Sequence, residues 1–289
     1  MTTELTSKAM LVSLQIKVPS TTKKDKQATL EVTASHHAKA EAARVNKDLY
    51  IKEAIEGFSR AAREARSDFY DNTLQWRSPQ RILLSDNYEK LSQLLEKSEE
   101  RFWKEAEKFI ANHDDQITEA RKMLGSLFRE EDYLGTDELS DKFSFDVAFV
   151  PLSDEEDWRV DLGGAEEQVK ERIRRQLEAS YQAAAREPWD RLKEVLDAMV
   201  LRLSDPDKRF ASTLVSNISD LCEVLPGLNI GNDPKLDEMI AKVRSQVAER
   251  TPEELRKDKK VRKQTAEKAL KLSKQVEKLA DRAEKSALH

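Results

Sequence analysis

The longest unbroken rhythm of apolar positions in this chain runs from Asp86 to Phe128. Tyr88, Leu91, Leu95, Phe102, Ala106, Phe109, Ile117, Leu124 and Leu127 fall on one stripe, which Leu94, Trp103, Ile110 and Phe128 widen. Steps of three and four predict a single helix of about forty residues with a near-heptad seam. At about 1.5 Å per residue it would be roughly 60 Å long and would have to bury its stripe on another long helix.

Ala165–Leu203 supplies the expected antiparallel partner, through Val169, Ile173, Leu177, Tyr181, Ala184, Leu192, Val195, Leu196, Met199 and Leu203. Pro188 lies inside that run, and a missing N–H with a bulky ring predicts a kink or break near Ala184–Glu187. Lys47–Trp76 reads as a third helix with an alanine-rich middle, and Lys24–Ala40 as a fourth. Asp205-Pro206, Asp233-Pro234 and Thr251-Pro252 each place a capping residue before a first-turn proline, which predicts three helix starts. The first of these helices carries Phe210, Leu214, Ile218 and Leu221 and closes at Leu225-Pro226-Gly227.

Period-two alternation marks the strands. Residues 9–18 set Met10, Val12, Leu14, Ile16 and Val18 on one face. Residues 143–152 do the same with Phe143, Phe145, Val147 and Phe149, and a third short strand is expected over 158–162. Strands this few need other elements to pack on. The expected fold is therefore mainly α: an elongated antiparallel helical bundle or coiled coil with one small sheet. The expected division is a body over 1–250 and a separate Lys-rich helix over 251–289.

Composition agrees with helix: 36% of residues are charged, 6% are aromatic, and there are seven Gly and eight Pro. The net charge of −5 argues against nucleic acid coating the whole molecule, but the charge is uneven. Residues 252–289 hold twelve Lys or Arg against seven Asp or Glu, leaving 38 basic and 48 acidic residues in 1–251. The basic candidates for contact with nucleic acid or an acidic partner are Arg256, Lys257, Lys259, Lys260, Arg262, Lys263, Lys268, Lys271 and Lys274. In the same helix Thr265, Ala269, Leu272, Val276, Leu279 and Ala283 form a seam of small residues. That seam suits a solvated helix, an oligomerising coiled coil or a phosphate-binding surface. No aromatic residue interleaves the lysines, so the helix alone offers no base stacking.

Catalytic chemistry is sparse. Cys222, the one cysteine, sits in an apolar helical context and reads as a core residue, which suits a reducing cytoplasm. His36 and His37 are adjacent and would point about 100° apart on a helix, which is poor metal geometry. Asp154–Asp157 lacks the spacing and glycine of a calcium loop. The loop Leu225–Asp233 has glycines but no following Lys-Ser/Thr, so it does not read as a phosphate cradle. No catalytic residue, cofactor or metal is expected, nor any leader or membrane span.

Two segments carry a resemblance: LVSLQIKVPSTTKKDKQATLEV near the start, and FSFDVAFVPLSDEEDWRVDLG after REEDYL. They resemble a family of phage and prophage helical proteins with a strand-rich FxFxVxFxPLP-like segment that ends in an R-V-D-L-like step. The matching positions are Phe143, Phe145, Val147, Phe149, Pro151, Leu152, Arg159, Val160, Asp161 and Leu162, and the likeness spans roughly residues 9–230. The resemblance implies genes near MoxR-type AAA+ ATPases and cobalt-chelatase-like von Willebrand A proteins; it implies no activity. The expectation is a non-enzymatic, cytoplasmic, phage-encoded adaptor or scaffold that binds itself or such a partner. The alternative is a nucleic-acid binder using the basic C-terminal helix.

Overall fold

The computed structural model describes residues 2–152, 166–205 and 207–286. In chain order they form α1 (Thr2–Lys8), β1 (Ala9–Lys17), β2 (Thr22–Asp25), α2 (Lys26–Ser35), β3 (Val45–Asp48), α3 (Lys52–Asp71), β4 (Leu74–Gln75), β5 (Arg81–Leu84), α4 (Tyr88–Ala111), α5 (His113–Leu124), α6 (Thr136–Ser140) and β6 (Ser144–Pro151). Then come α7 (Glu166–Leu203), α8 (Thr213–Val224), α9 (Pro234–Val243), α10 (Pro252–Lys257) and α11 (Lys259–Ser286). The fold is mainly helical with two small sheets, one ordered β4-β5-β1-β6 and one made by β2 and β3. No helix among the described residues is long and apolar enough to cross a membrane.

Contacts divide the chain into two compact units. The first is Met1–Ser13, Tyr70–Glu89 and Phe149–His289; the second is Leu14–Phe69 and Lys90–Ala148. The division expected at residue 250 is not where the contacts fall, because α10 and α11 belong to the first unit.

In the first unit α7 packs along α11. Ser273 donates to Asp197, and Lys193 and Arg186 reach Glu277 and Asp281, so the two helices run antiparallel. Their seam buries Leu192, Leu196, Met199 and Leu203 against Ala269, Leu272, Val276 and Ala280. The partner expected for α7 was the 86–128 stretch; its principal partner is the basic C-terminal helix. Small residues on α11 let the two helices approach closely while the bulk comes from α7. Val215, Ile218, Cys222, Leu236, Ile240 and Val243 extend the same core. Burial pushes the Cys222 thiol up to about 11 despite Arg244 nearby.

Pro188 does not break α7, which runs through it for 38 residues. Groups from the β4–β5 region bond to α7 just before the proline. Gln75 Nε2 donates to the Ala183 carbonyl at 3.0 Å. Glu187 accepts from Arg81 at 2.9 Å, from Arg191 at 2.6 Å and from the Gln75 backbone N–H. Arg191 continues to the carbonyls of Tyr70, Asp71 and Thr73.

The second unit has an aromatic core. Phe58 stands edge-on to Phe109 at 4.9 Å and to Phe143 at 5.3 Å. Ala61, Ala62 and Ala65 of α3 leave room for Phe102 and Phe109 of α4. Ser98 donates to Asp68, and Glu105 lies over Gly57, so α3 and α4 are antiparallel. Beside β1, β6 contributes Phe145 and Val147 to the core that takes Leu14 and Ile16, which is the expected strand adjacency.

Four expectations are corrected. The 86–128 stretch is two helices, not one: Asn112 Nδ2 takes the Lys108 carbonyl at 2.7 Å and ends α4. His113 then turns inward, and its ring bonds the Leu134 carbonyl at 3.0 Å. Lys47–Trp76 is shorter as a helix because Val45–Asp48 pairs with β2 and Leu74–Gln75 with β5. Lys24–Ala40 narrows to Lys26–Ser35, since Asp25 caps the helix and belongs to β2. The helix expected from Asp205 begins instead at Thr213, with Phe210 outside it. The starts at Asp233 and Thr251 hold, the latter with a full capping box. The strand expected over 158–162 and the acidic run 154–157 lie outside the described residues.

One buried ionic cluster anchors the second unit. Lys47 meets Asp132 at 2.6 Å, Asp25 at 3.4 Å and the Leu127 carbonyl at 2.6 Å. Lys23 adds a second cation on Asp132 at 2.8 Å. The Ala28 N–H, with Lys47, holds the Asp25 carboxyl below the ordinary carboxylate range. Burial works to raise Asp132, but bonds from Lys23 and Lys47 outweigh it and hold that carboxyl low too. Both folded values lie below the unfolded ones, so this stabilisation is full above about pH 4 and is lost as acid protonates the folded carboxylates. Thermal unfolding followed from neutral to acid pH should show a drop in Tm below about pH 4. Lys47→Met should lower Tm at neutral pH and flatten that acid dependence.

Candidate functional site

Helix α11 presents two chemically different faces. The side turned to α7 is the buried seam, and it also draws in two of the helix's acids. Glu277 lies 4.0 Å from Lys193, and Asp281 lies 3.5 Å from Arg186. Asp197 of α7 stands between Lys193 and Ser273; burial works to raise its carboxyl, and the two hydrogen bonds hold it low instead. At about 100° per residue, the positions opposite the seam are Lys260, Lys263, Lys268, Lys271, Lys274 and Lys278, with Arg282 at the far end. All seven are exposed; Glu267 lies among them, and the exposed Asp281 shares the angle of Lys263. The stripe is about 33 Å long at 1.5 Å per residue.

The nine basic residues expected from the sequence divide by role. Lys260, Lys263, Lys268, Lys271 and Lys274 lie on the outer stripe. Lys257 and Lys259 are exposed near Glu253 at 3.8 Å and Asp207 at 3.4 Å. Arg256 lies over the Phe210 ring at 5.2 Å and donates to its carbonyl. Arg262 is the correction: it is 6% exposed and cannot meet a partner. Its guanidinium donates to the carbonyls of Leu203 at 3.2 Å, Arg202 at 2.9 Å and Lys208 at 2.7 Å, and to that of Asp205. A cation with five donors suits the open carbonyls at a helix C-terminus. Lys278 and Arg282, omitted from the sequence list, continue the same helical period and were readable from it.

At the Arg282 end of the stripe the first unit holds a cavity of about 320 Å³, walled by Tyr181, Pro188, Trp189, Leu279 and the Leu228–Leu236 loop. A neighbouring cavity of about 270 Å³ shares Tyr181 and the loop residues Asn229–Asn232. Asn229 fixes that loop: its Oδ1 accepts from the Asp233 N–H at 2.8 Å, and its Nδ2 donates to the Asp233 carbonyl at 3.0 Å and to Asp237 at 3.2 Å. No signal in the sequence joined Tyr181 to this loop or to α11. Among the described residues no group of three or more His, Cys, Asp or Glu could hold a metal ion.

Comparison with protein-family models, curated proteins and solved structures finds no match.

Removing Arg262 should be a stability lesion. Arg262→Met leaves several carbonyls without their donor and should cost about 3 kcal/mol of unfolding free energy. Lys263→Met, one residue away on the exposed face, should change it by less than about 0.5 kcal/mol. Urea unfolding of both variants checks the contrast.

Proposed function

We propose that the protein acts by binding rather than by catalysis, and that its principal partner is a nucleic-acid backbone held by the outer face of α11. The observation that carries this reading is the sorting of charge on that helix. Glu277 and Asp281, both exposed, lie toward cations of α7, while six lysines and Arg282 face solvent in line. Such a row follows successive phosphates and releases their counterions, so affinity depends steeply on salt. The acidic remainder of the chain opposes any broader coating, which confines contact to the stripe.

A protein partner is the second reading, and a different feature favours it. Phe149 and Val150 are exposed near the end of β6, and Tyr88 stands edge-on to Phe149 at 5.5 Å. Among the described strands β6 is at the sheet edge, where a partner's extended segment can add by backbone pairing. The adaptor role implied by the phage resemblance, with self or an AAA+ ATPase as partner, would use this edge. Light scattering should then give a mass above the monomer's that Val150→Lys reduces.

Deleting the C-terminal helix is a poor test of the first reading, because α11 contributes Ala266, Ala269, Leu272, Val276 and Ala280 to the first unit's core. The sharper variant changes Lys263, Lys268, Lys271 and Lys274 together to Gln. Fluorescence anisotropy with labelled DNA, between about 50 and 200 mM salt, should give a log–log slope near −3 to −4 for about four neutralised phosphates. The variant should keep its circular dichroism spectrum and lose at least half of that slope. Binding that the four substitutions leave intact would reject the stripe.

A further inference from the structure

We infer that the nucleic acid taken by the α11 stripe is single-stranded, and that one unstacked nucleotide seats in the cavity beside Arg282. This inference rests on the nucleic-acid reading of the stripe and adds to it a form of partner. Arg282 belongs both to the outer face of α11 and to the cavity wall, so a strand following the lysines arrives at the opening. The stripe has no aromatic residue of its own, but the fold brings Tyr181 and Trp189 of α7 to its end. Trp189 is 1% exposed and forms the floor, whereas Tyr181 is half-buried and has ring area to offer. Leu279 and Pro188 complete apolar walls suited to the flat faces of a base. Lys235 and Arg282 are exposed at the rim, where a sugar-phosphate would pass.

The size is selective. At about 320 Å³ the cavity is at the small end of ligand sites and suits one nucleotide rather than a larger cofactor. The Asn229 hydrogen bonds keep its loop wall preformed, so little ordering is needed on binding. A base inside a duplex is paired and stacked and would first have to be extruded; a base in a single strand is already available. Stacking on one aromatic ring tolerates any base, so the selection is for strand form and not for sequence.

The test compares a labelled oligothymidine with a duplex of the same length, titrated by anisotropy in the same salt. The single strand should bind about tenfold tighter. Tyr181→Ala should remove most of that advantage, leaving duplex affinity and the salt slope as they were, and Tyr181→Phe should restore it. Photo-crosslinking with 5-iodouridine at successive positions should label a peptide containing Tyr181. Equal affinity for both forms with Tyr181→Ala silent, while the lysine variant still weakens both, would overturn the cavity and leave the stripe standing. Failure of both forms to bind would reject stripe and cavity together.

Discussion

The first unit depends on how the C-terminal end of α7 is closed. A 38-residue helix leaves its last carbonyls without internal donors, and here the chain bends away at Ser204. Arg262 supplies the donors from α11 to two carbonyls at the helix end and two beyond it. The guanidinium acts as a pin. It fixes where α11 starts against α7, and the Ser273–Asp197 bond and the Lys193–Glu277 and Arg186–Asp281 pairs follow along the same register. A slip by one turn would break the pin and the Ser273–Asp197 bond and set the small residues of α11 out of step with the bulky ones of α7. Arg191 repeats the device on the carbonyls of Tyr70 and Asp71, and Arg244 repeats it on that of Cys222.

The second unit reaches specificity by other means. Its core is aromatic, with Phe58, Phe102, Phe109 and Phe143 in edge contacts that fix ring orientation. In the antiparallel β2–β3 pair, Lys47 is 6% exposed and neutralised by Asp25 and Asp132. A buried pair of this kind contributes less to net stability than its charges suggest, because both partners are desolvated. Its consequence is geometric. The Leu127 carbonyl and Asp132, which come from the segment after α5, are tied to the β2–β3 pair by one ammonium group.

Helices and strands with strong periodicity were legible: β1, β6, α7 and the start of α9 fall within a residue or two of where the pattern puts them, whereas the single helix expected over 251–289 starts on its capping box but breaks at Asp258 into α10 and α11. What misled was continuity of pattern. The 86–128 stripe keeps its rhythm across Asn112, yet a side chain that competes for the Lys108 carbonyl outweighs periodicity there. Lys47 and Asp48 were absorbed into a helix because their partner strand is too short and polar to announce itself. Pro188 misled in the opposite direction: the proline argues for a break, yet the helix runs through it, in contact there with residues more than a hundred positions away. The pairing of α7 with α11 was equally hidden. A small-residue seam with many lysines reads as solvent-facing until a long apolar partner is known to cover it.

The candidate site follows from that pairing. A helix that gives one face to a core can keep only the remaining arc for charge, and in α11 the two demands sort the residues. Acids that lie at the border find cations on α7, and the outward arc is left almost wholly basic. The stripe is therefore a product of the tertiary structure as much as of composition: Lys193 and Arg186 of α7 offset part of the charge that Glu277 and Asp281 bring to its border. The same packing sets Tyr181 and Trp189 at the end of that arc, since α7 brings them there only when the Arg262 pin holds the register. Folding and the proposed recognition thus share one interface, and a change that loosens the seam should weaken both the stripe's net charge and the cavity at its end.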